Sequence, residues 1–387
     1  MTLRVEEINQ WQKFPYQEWD CLVKTTSRHS VFLTSAWLTA AWEFLQPGRK
    51  LRIFLVSDNA KLVGGLVLAE EVERWRGWPV RKLVLLTDPV ITSVRSDLVA
   101  PVNPEACADA LKDYLLRHSR SWDVLHFDSL PATSPLLNVA DFNHSGTAEK
   151  HWVLHRLEME NSWDEFMASH SRHLREHLRR ERTKLEKLGH LQTEFAETPE
   201  AVAAAFEIFF SIEAASGKQE RGDYTKLEGR LKDYYSTLFK NLMHSSHALI
   251  AILRLEGEPI ACILAAQMNK VIYTLNDVYV IQFSKQYAGH YLRGEMIRFA
   301  YSKEYLAVDF NGYGSHIQRW RTTGQPYYRM IVFSPSWYGT WLSLYKRRLV
   351  PIARRLLPSR FLAETVPTTR VGDRGLEDIA DAGSGPV

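Results

Sequence analysis

The residues with the clearest potential for chemistry lie in the segment 271–321. An apolar run, VIYTL, is followed by Asn276 and Asp277, and a glycine-bearing turn at 286–291 leads directly into a helical pattern. A strand, such a turn and a helix N-terminus present unpaired backbone amides and the positive end of a helix dipole. Pyrophosphate binds at places of this kind, so the sequence predicts an anion site at this turn.

A second charged group lies on the predicted helix Ser171–Gly189. Apolar leucines at 174, 178, 185 and 188 form its buried seam. Its charged residues are Arg172, Arg175, Arg179, Arg180, Arg182, Lys184 and Lys187, against Glu176, Glu181 and Glu186. Two interpretations stay open. One is a solvated face with pairs such as Glu176 and Arg180; the other is an anion site in which Arg172 and Arg175 bind a phosphate or an anionic acceptor.

Metal and nucleophile chemistry find little support in the sequence. His170, His173 and His177 have metal-ligand spacing on one helix face, but the arginines between them oppose a cation, so we expect no metal. Neither a GxSxG elbow, an HExxH helix nor a Walker loop is present. Three widely separated cysteines indicate a reducing compartment rather than a disulfide framework.

The composition is that of a folded protein without a global charge signal. The 387 residues are 45% hydrophobic and carry a formal net charge of +3, so nothing in the overall charge points to nucleic acid. The N-terminus lacks the apolar core of a signal peptide, and no window is apolar enough to span a bilayer. We therefore expect a cytoplasmic protein, with membrane contact only at the surface of its inner face.

The elements that must position the charged groups follow one order twice. The first half predicts a helix at 31–46, a hairpin with its turn at Asp58 and Asn59, a helix at 104–118 and a strand at 122–130. The second half predicts helices at 162–189, 199–216 and 224–244, then a hairpin, a third strand, a helix at 288–303 and a last strand ending in DFNGYG. This repetition predicts two copies of one α/β module, at 1–145 and 146–336.

These features carry a resemblance to a known family. Gln286 and Gly289 resemble the acyl-CoA turn of the GNAT acetyltransferase superfamily, although Tyr291 stands where that turn has glycine or alanine. The helix LREHLRRERTKLEKLG, the segment FFSIEAASGK and the strand ending DFNGYG resemble the CelD/BcsL-like branch, which is related to the FemAB peptidyltransferases and carries tandem GNAT modules. The resemblance implies an α/β (α+β) fold of two modules, each a mixed, mostly antiparallel sheet flanked by helices, with the CoA turn in the second.

The resemblance also implies a reaction, the transfer of an acyl group from acetyl-CoA or another acyl-CoA to an amine of a sugar, polysaccharide precursor or related cell-envelope molecule. Candidate catalytic groups are Asp277 and Asp309 at strand ends, Glu213 at a position where the family has an acid, and Tyr279 or Tyr291 as proton donor to the thiolate. Cofactor contacts are expected from Gln286, Ala288, Gly289, His290, Tyr291 and Leu292. Acceptor or 3′-phosphate contacts are expected from Arg172, Arg175 and Lys218.

Two alternatives remain at this point. A FemAB-like enzyme would take its acyl group from an aminoacyl-tRNA, whereas the main interpretation involves no nucleic acid. A degenerate module, crowded by Tyr291, would be a non-catalytic scaffold in exopolysaccharide assembly.

The C-terminal segments have a different composition. Residues 337–363 are aromatic and basic, a composition suited either to the headgroup region of an anionic membrane or to packing on the second module. Residues 364–387 are polar, and we expect them to be disordered.

Overall fold

A computed structural model describes residues 3–26, 30–86, 95–144, 146–216 and 228–349. The described strands are β1 (Leu3–Ile8), β2 (Arg49–Asp58), β3 (Lys61–Trp75), β4 (Trp78–Leu85), β5 (Val124–Pro131), β6 (Thr147–Glu158), β7 (Leu191–Ala196), β8 (Ala248–Leu255), β9 (Glu258–Met268), β10 (Val271–Tyr279), β11 (Ala307–Asp309) and β12 (Thr323–Phe333). The described helices are α1 (Tyr16–Thr25), α2 (Ser35–Leu45), α3 (Pro104–Arg117), α4 (Trp163–Ser169), α5 (Arg172–Glu186), α6 (Pro199–Ala214), α7 (Glu228–His244), α8 (Ala288–Ser302), α9 (Ser315–Gln318) and α10 (Trp337–Leu344).

All twelve strands form one sheet in the order β1-β2-β3-β4-β5-β12-β6-β11-β10-β9-β8-β7. Neighbours are antiparallel except for β4 with β5 and β10 with β11, which are parallel. A mixed, mostly antiparallel sheet flanked by helices was expected from the sequence, and it is confirmed.

The two halves exchange their last strands. β6 ends the first series of six strands but pairs with β11 of the second series. β12 ends the second series but pairs with β5 of the first. β6 and β12 also pair with each other and so join the halves at the centre of the sheet. The division at 145/146 therefore stays a prediction, because the strands on either side of it are interleaved.

Helices cover both faces of the sheet. On one face α1, α2, α6 and α7 share a single hydrophobic cluster across both halves. On the other face α3 packs on the first half, while α5 and α8 pack on the second. Because alternate residues of a strand point to opposite faces, Ile272 contacts the α8 side and Tyr273 the α6 side. Within the described ranges, we find no helix with the length and apolarity needed to cross a bilayer.

Lys218 and residues 350–387 lie outside the described residues. α10, which begins the aromatic and basic segment, packs on β4 and β5 and on the end of β12, so it contacts both predicted modules. Its buried Leu342 clusters with Val80, Val124 and Phe333, and the Tyr338 hydroxyl donates to the Pro79 carbonyl at 2.7 Å.

Candidate functional site

The candidate site begins where two parallel strands part. β10 and β11 pair over three positions, from Val271 opposite Ala307 to Tyr273 opposite Asp309. Immediately afterwards β10 carries a bulge against β9, between Thr274 and Asn276, which bends the strand locally before its pairing with β9 resumes. Across the gap, the Thr274 hydroxyl donates to the Phe310 carbonyl at 3.0 Å.

A cleft of about 270 Å³ opens at this divergence, and a second cavity of about 400 Å³ lies at the start of α8. The two cavities share Asp277, Arg293 and His316 in their linings, so they form one groove. Trp152, Asn276 and Asn311 to Tyr313 complete much of the cleft. Groups from the end of β10, the loop after β11 and α8 thus converge.

The N-terminus of α8 opens into this groove without a side-chain cap. Tyr287 occupies the N-cap position with φ 60° and ψ 38°, and its side chain makes no capping bond. The first backbone hydrogen bond of the helix runs from the Tyr291 amide to the Tyr287 carbonyl, at 2.9 Å. The amides of Ala288, Gly289 and His290 precede it and lie at the positive end of the helix dipole.

Gly289 occupies a position with little space for a side chain. A Cβ at this position would lie 3.1 Å from Cδ1 of Tyr279, closer than nearly all such contacts. The glycine therefore brings the α8 backbone close to the end of β10. A larger residue would push the turn into the groove.

Cations surround the helix N-terminus. Arg293 forms an ion pair with Asp277, and Arg319 Nη1 lies 3.3 Å from His290 Nε2. Lys184 reaches over from α5, its Nζ 5.4 Å from the centre of the Tyr287 ring. Since the two arginines line the cavity beside the open helix end, the groove is suited to an anion such as a pyrophosphate.

His316 stands at the centre of this arrangement. Desolvation in the groove and the positive charge of Arg293 lower the pKa of its imidazole, while Asp277 opposes that shift. Gly314 has φ 121°, and a Cβ there would lie 3.0 Å from the imidazole, so glycine leaves room for the ring. A neutral imidazole at this position can accept a proton at neutral pH.

A buried acid connects α5 to the same turn. Glu181 is 1% exposed, and its carboxylate oxygens lie 2.8 Å from Nδ1 of His177 and 2.7 Å from Nδ1 of His290. Burial is the main reason that the pKa of His177 is lowered. These three residues have the donor types of a divalent-cation site. Arg319, however, lies against the other ring nitrogen of His290, and the absence of a metal stays a prediction.

The structure brings several of the predicted site residues together. Asp277, Tyr279, Ala288, Gly289 and His290 all line the cavity at α8. Gln286 ends the short 3₁₀ turn before the helix. The next two helix residues face elsewhere. Leu292 is buried in the core, and burial raises the pKa of Tyr291 to about 12.

Other predicted residues lie away from the groove. Glu213 is nearly buried at the end of α6, on the opposite face of the sheet from α8. Arg172 and Arg175 are exposed at the start of α5, where Arg172 pairs with Glu176 at 2.6 Å. None of these three is among the residues that line the two cavities. Lys218 is not described.

Asp309 is fully buried, on the face of the sheet opposite α8. It forms a two-point ion pair with Arg95 of the first half and accepts a bond from the Asn311 amide at 2.9 Å. Arg95 also lies over the rings of Phe32 and Tyr327, at 5.8 and 5.3 Å. A further cavity, of about 210 Å³, adjoins Arg95 between the halves.

Sequence reasoning missed Arg95, Arg293, His316 and Arg319. The signal for His316 was its position just after Gly312 and Gly314, since a histidine following a glycine turn at a strand end faces the same edge as the strand terminus. Arg95 gave no such signal, because its partner Asp309 lies 214 residues away in the chain.

The comparison with family models decides the class of this site. Residues 172–328 match the family described as acetyltransferase (GNAT) domain. This stretch contains α8 and the point where β10 and β11 part. Over this stretch the chain is similar to a GNAT acetyltransferase domain. It is accordingly an acyltransferase, and the expectation drawn from the acyl-CoA-like turn is confirmed at that level.

Solved structures extend the likeness in fold to both halves. FemX is 12% identical with a TM-score of 0.59, covering 88% of this chain and 99% of its own. The C-terminal domain of a protein assigned as a lysylphosphatidylglycerol synthetase, from Agrobacterium fabrum, is 11% identical with a TM-score of 0.52, covering 85% and 95%. A conserved protein of unknown function from Bacteroides thetaiotaomicron is 10% identical with a TM-score of 0.52, covering 84% and 100%. The comparison with curated protein sequences gave no match.

Proposed function

We propose that the groove between β10, β11 and α8 binds an acyl-CoA, most simply acetyl-CoA, and that the acyl group passes directly to an amine. The observation that carries this proposal is the uncapped N-terminus of α8, held close to β10 by Gly289 and flanked by Arg293 and Arg319. The pyrophosphate of CoA is the anion that such a turn accommodates. The adjoining cleft leads from this turn to the point where the strands separate.

The chemistry requires one bond to form and one to break. The amine nitrogen attacks the thioester carbonyl carbon, the carbon–nitrogen bond forms, and the carbon–sulfur bond breaks to release CoA as a thiolate. His316 is the candidate base for the amine proton, since its lowered pKa keeps it neutral at pH 7. Tyr279, which lines the same cavity, is the candidate donor to the thiolate.

Asp277 then has a supporting role. Its carboxylate pairs with Arg293, and its negative charge favours the protonated form of His316. Such a charge stabilises the imidazolium that forms as the amine loses its proton. Asp309, by contrast, is proposed to hold the two halves together beside the cleft.

The acceptor is proposed from the family resemblance. We infer an amine on a sugar, a polysaccharide precursor or a related cell-envelope molecule, as in the CelD/BcsL-like branch. An aminoacyl-tRNA donor and a non-catalytic scaffold are the competing possibilities that experiment must separate.

Calorimetric titration with acetyl-CoA tests the donor. We expect the wild type to bind and Gly289→Trp to lose binding, because the indole cannot fit against Tyr279. Arg298→Trp is the matched control, since it places the same side chain at an exposed position further along α8. Absence of binding in all three proteins would reject acetyl-CoA, and longer acyl-CoAs and aminoacyl-tRNA would then be titrated in turn.

A further inference from the structure

The surface around β4 and α10 carries a row of exposed and partly exposed aromatic side chains that the proposed reaction does not use. We call it the aromatic ridge, and it consists of Trp78, Trp337, Tyr338, Trp341 and Tyr345. Trp337 is 81% exposed and Trp78 is 53% exposed. Few large aromatic side chains of a folded protein are left so open without a function.

The ridge is built from two elements that are distant in sequence. Trp78 follows the β3–β4 turn, in which Arg76 and Gly77 both have positive φ, and its ring lies 5.3 Å from that of Trp341. Along α10 and the turn after it, Trp341 stacks on Tyr338 and Tyr345, with ring centres 6.1 and 5.5 Å apart. The ring-to-ring contacts hold the ridge as one surface.

The ridge is anchored from below. Leu342 is fully buried and the Gly339 backbone packs against Ser334, where any Cβ would lie 2.2 Å from the Ser334 carbonyl oxygen. The opposite face of α10 is therefore fixed to the end of β12. Its aromatic face points outward because the other face is occupied.

Cations border the ridge. Arg76 stands at the hairpin tip, and Arg347 and Arg348 follow α10, all exposed. The ammonium of Lys346 lies 4.7 Å from the centre of the Trp75 ring. Residues 337–349 contain no acid. The nearest carboxylate of β3, Glu73, is paired with Lys82 at 3.1 Å.

We propose that the aromatic ridge docks the protein on an anionic lipid surface. Tryptophan and tyrosine have an apolar ring with a polar edge, and both residues concentrate at the headgroup level of membranes. Bordering arginines and lysines add attraction to anionic lipids, about fivefold in affinity for each cation near the surface. The ridge is too cationic for an ordinary apolar protein contact, and the chain's net charge of +3 gives no wider basic surface for RNA.

Vesicle co-sedimentation of the full chain tests this proposal. We expect binding to vesicles of phosphatidylcholine with about one third phosphatidylglycerol, weakening as salt rises, and much weaker binding to phosphatidylcholine alone. Trp78→Ser with Trp337→Ser should lower the affinity for the anionic vesicles by at least about tenfold. Arg76→Gln with Arg348→Gln should lower it by about 25-fold, from about fivefold per cation.

Val102→Ser with Leu306→Ser is the matched control. Both side chains are exposed, at 58% and 57%, and neither belongs to the ridge. This variant should bind vesicles as the wild type does, and thermal unfolding should show that all variants are folded. The proposal is overturned if the wild type does not bind anionic vesicles or binds single-stranded RNA instead. It is equally overturned if the tryptophan variant binds as well as the wild type, which would assign the contact to residues 350–387.

Discussion

At the scale of single residues, His316 is the proposed base for the amine proton. It lines both cavities and has a lowered pKa, whereas the acids nearest to it or expected from the sequence are engaged elsewhere. Asp277 pairs with Arg293 and Asp309 pairs with Arg95. A carboxylate held by an arginine is a poor base, so the histidine is the better acceptor of the amine proton.

The pH dependence of kcat/KM tests that role. A base must be unprotonated, so activity should fall as the pH drops through the pKa of His316. Because that pKa lies below the ordinary 6.5, the acid limb should lie below pH 6.5. His316→Ala should lower kcat by about 10²- to 10⁴-fold and remove that limb, while acetyl-CoA binding by calorimetry stays close to wild type. A limb that persists unchanged in His316→Ala would assign the base to another group.

The buried Arg95–Asp309 ion pair is expected to affect the stability of the fold. Burial alone would lower the pKa of Arg95, but the charge of Asp309 raises it above its ordinary value. The side chains are only 10% and 1% exposed, so loss of either charge leaves the other buried without a partner.

Asp309→Asn should therefore lower the free energy of unfolding by about 3–5 kcal/mol in urea titrations. Adding Arg95→Leu should cost less than the sum of the single changes, since no charge then remains uncompensated. Glu176→Gln breaks the exposed pair with Arg172, and it should cost less than about 1 kcal/mol. Equal losses for the buried and the exposed pair would contradict this account.

At the scale of elements, strong periodicity was a good guide. The α2 helix, the β2–β3 hairpin with its turn at Asn59, the α4–α5 pair and the α8 helix were all predicted from the sequence, and they are confirmed. β6 and β12 were missed. Their sequences, TAEKHWVLHRLE and TGQPYYRMIVF, lack a clean alternation of apolar and polar residues. Long-range pairing decides such strands, and local pattern does not encode it.

The contact between α5 and α8 explains why a basic helix adjoins the turn. Leu174 and Leu185 form the buried seam of α5, and Glu181 reaches the first turn of α8 through His290. All seven cations predicted on this helix are exposed. The buried contact from α5 to the first turn of α8 is made by the acid Glu181, which the sequence could not show.

Glu181→Gln should destabilise the fold by about 1–3 kcal/mol, because it removes the buried carboxylate that pairs with His290 and lies beside His177. Acetyl-CoA binding should weaken in the same variant, since the first turn of α8 loses its support from α5. Glu186→Gln, on the same helix in an exposed pair with Arg182, is the control and should have little effect on either measurement. If EDTA lowered the unfolding midpoint of the wild type but not of Glu181→Gln, these three side chains would hold a cation.

At the scale of the whole molecule, the exchange of β6 and β12 makes the two halves dependent on each other. A repeat in the sequence predicted two modules, and the structure has two six-strand series. The sequence could not show that the last strand of each series completes the other half. The shared cluster of α2 and α7 adds to this dependence, with Asn241 donating to the Ala36 carbonyl at 3.2 Å and the rings of Phe44 and Tyr234 5.2 Å apart.

Cutting the chain at 145/146 should therefore give fragments that do not fold alone. Fragment 1–145 would expose the edge of β5 that β12 covers, and fragment 146–387 would expose the matching edge of β12. Unpaired strand edges of this kind promote aggregation. Co-expressed fragments should assemble into a complex that binds acetyl-CoA. The intact chain should unfold in urea in one transition, with tryptophan fluorescence and circular dichroism coinciding. Two separate transitions, or a soluble fragment 1–145 with a native-like spectrum, would mean that the first five strands are stable without β12.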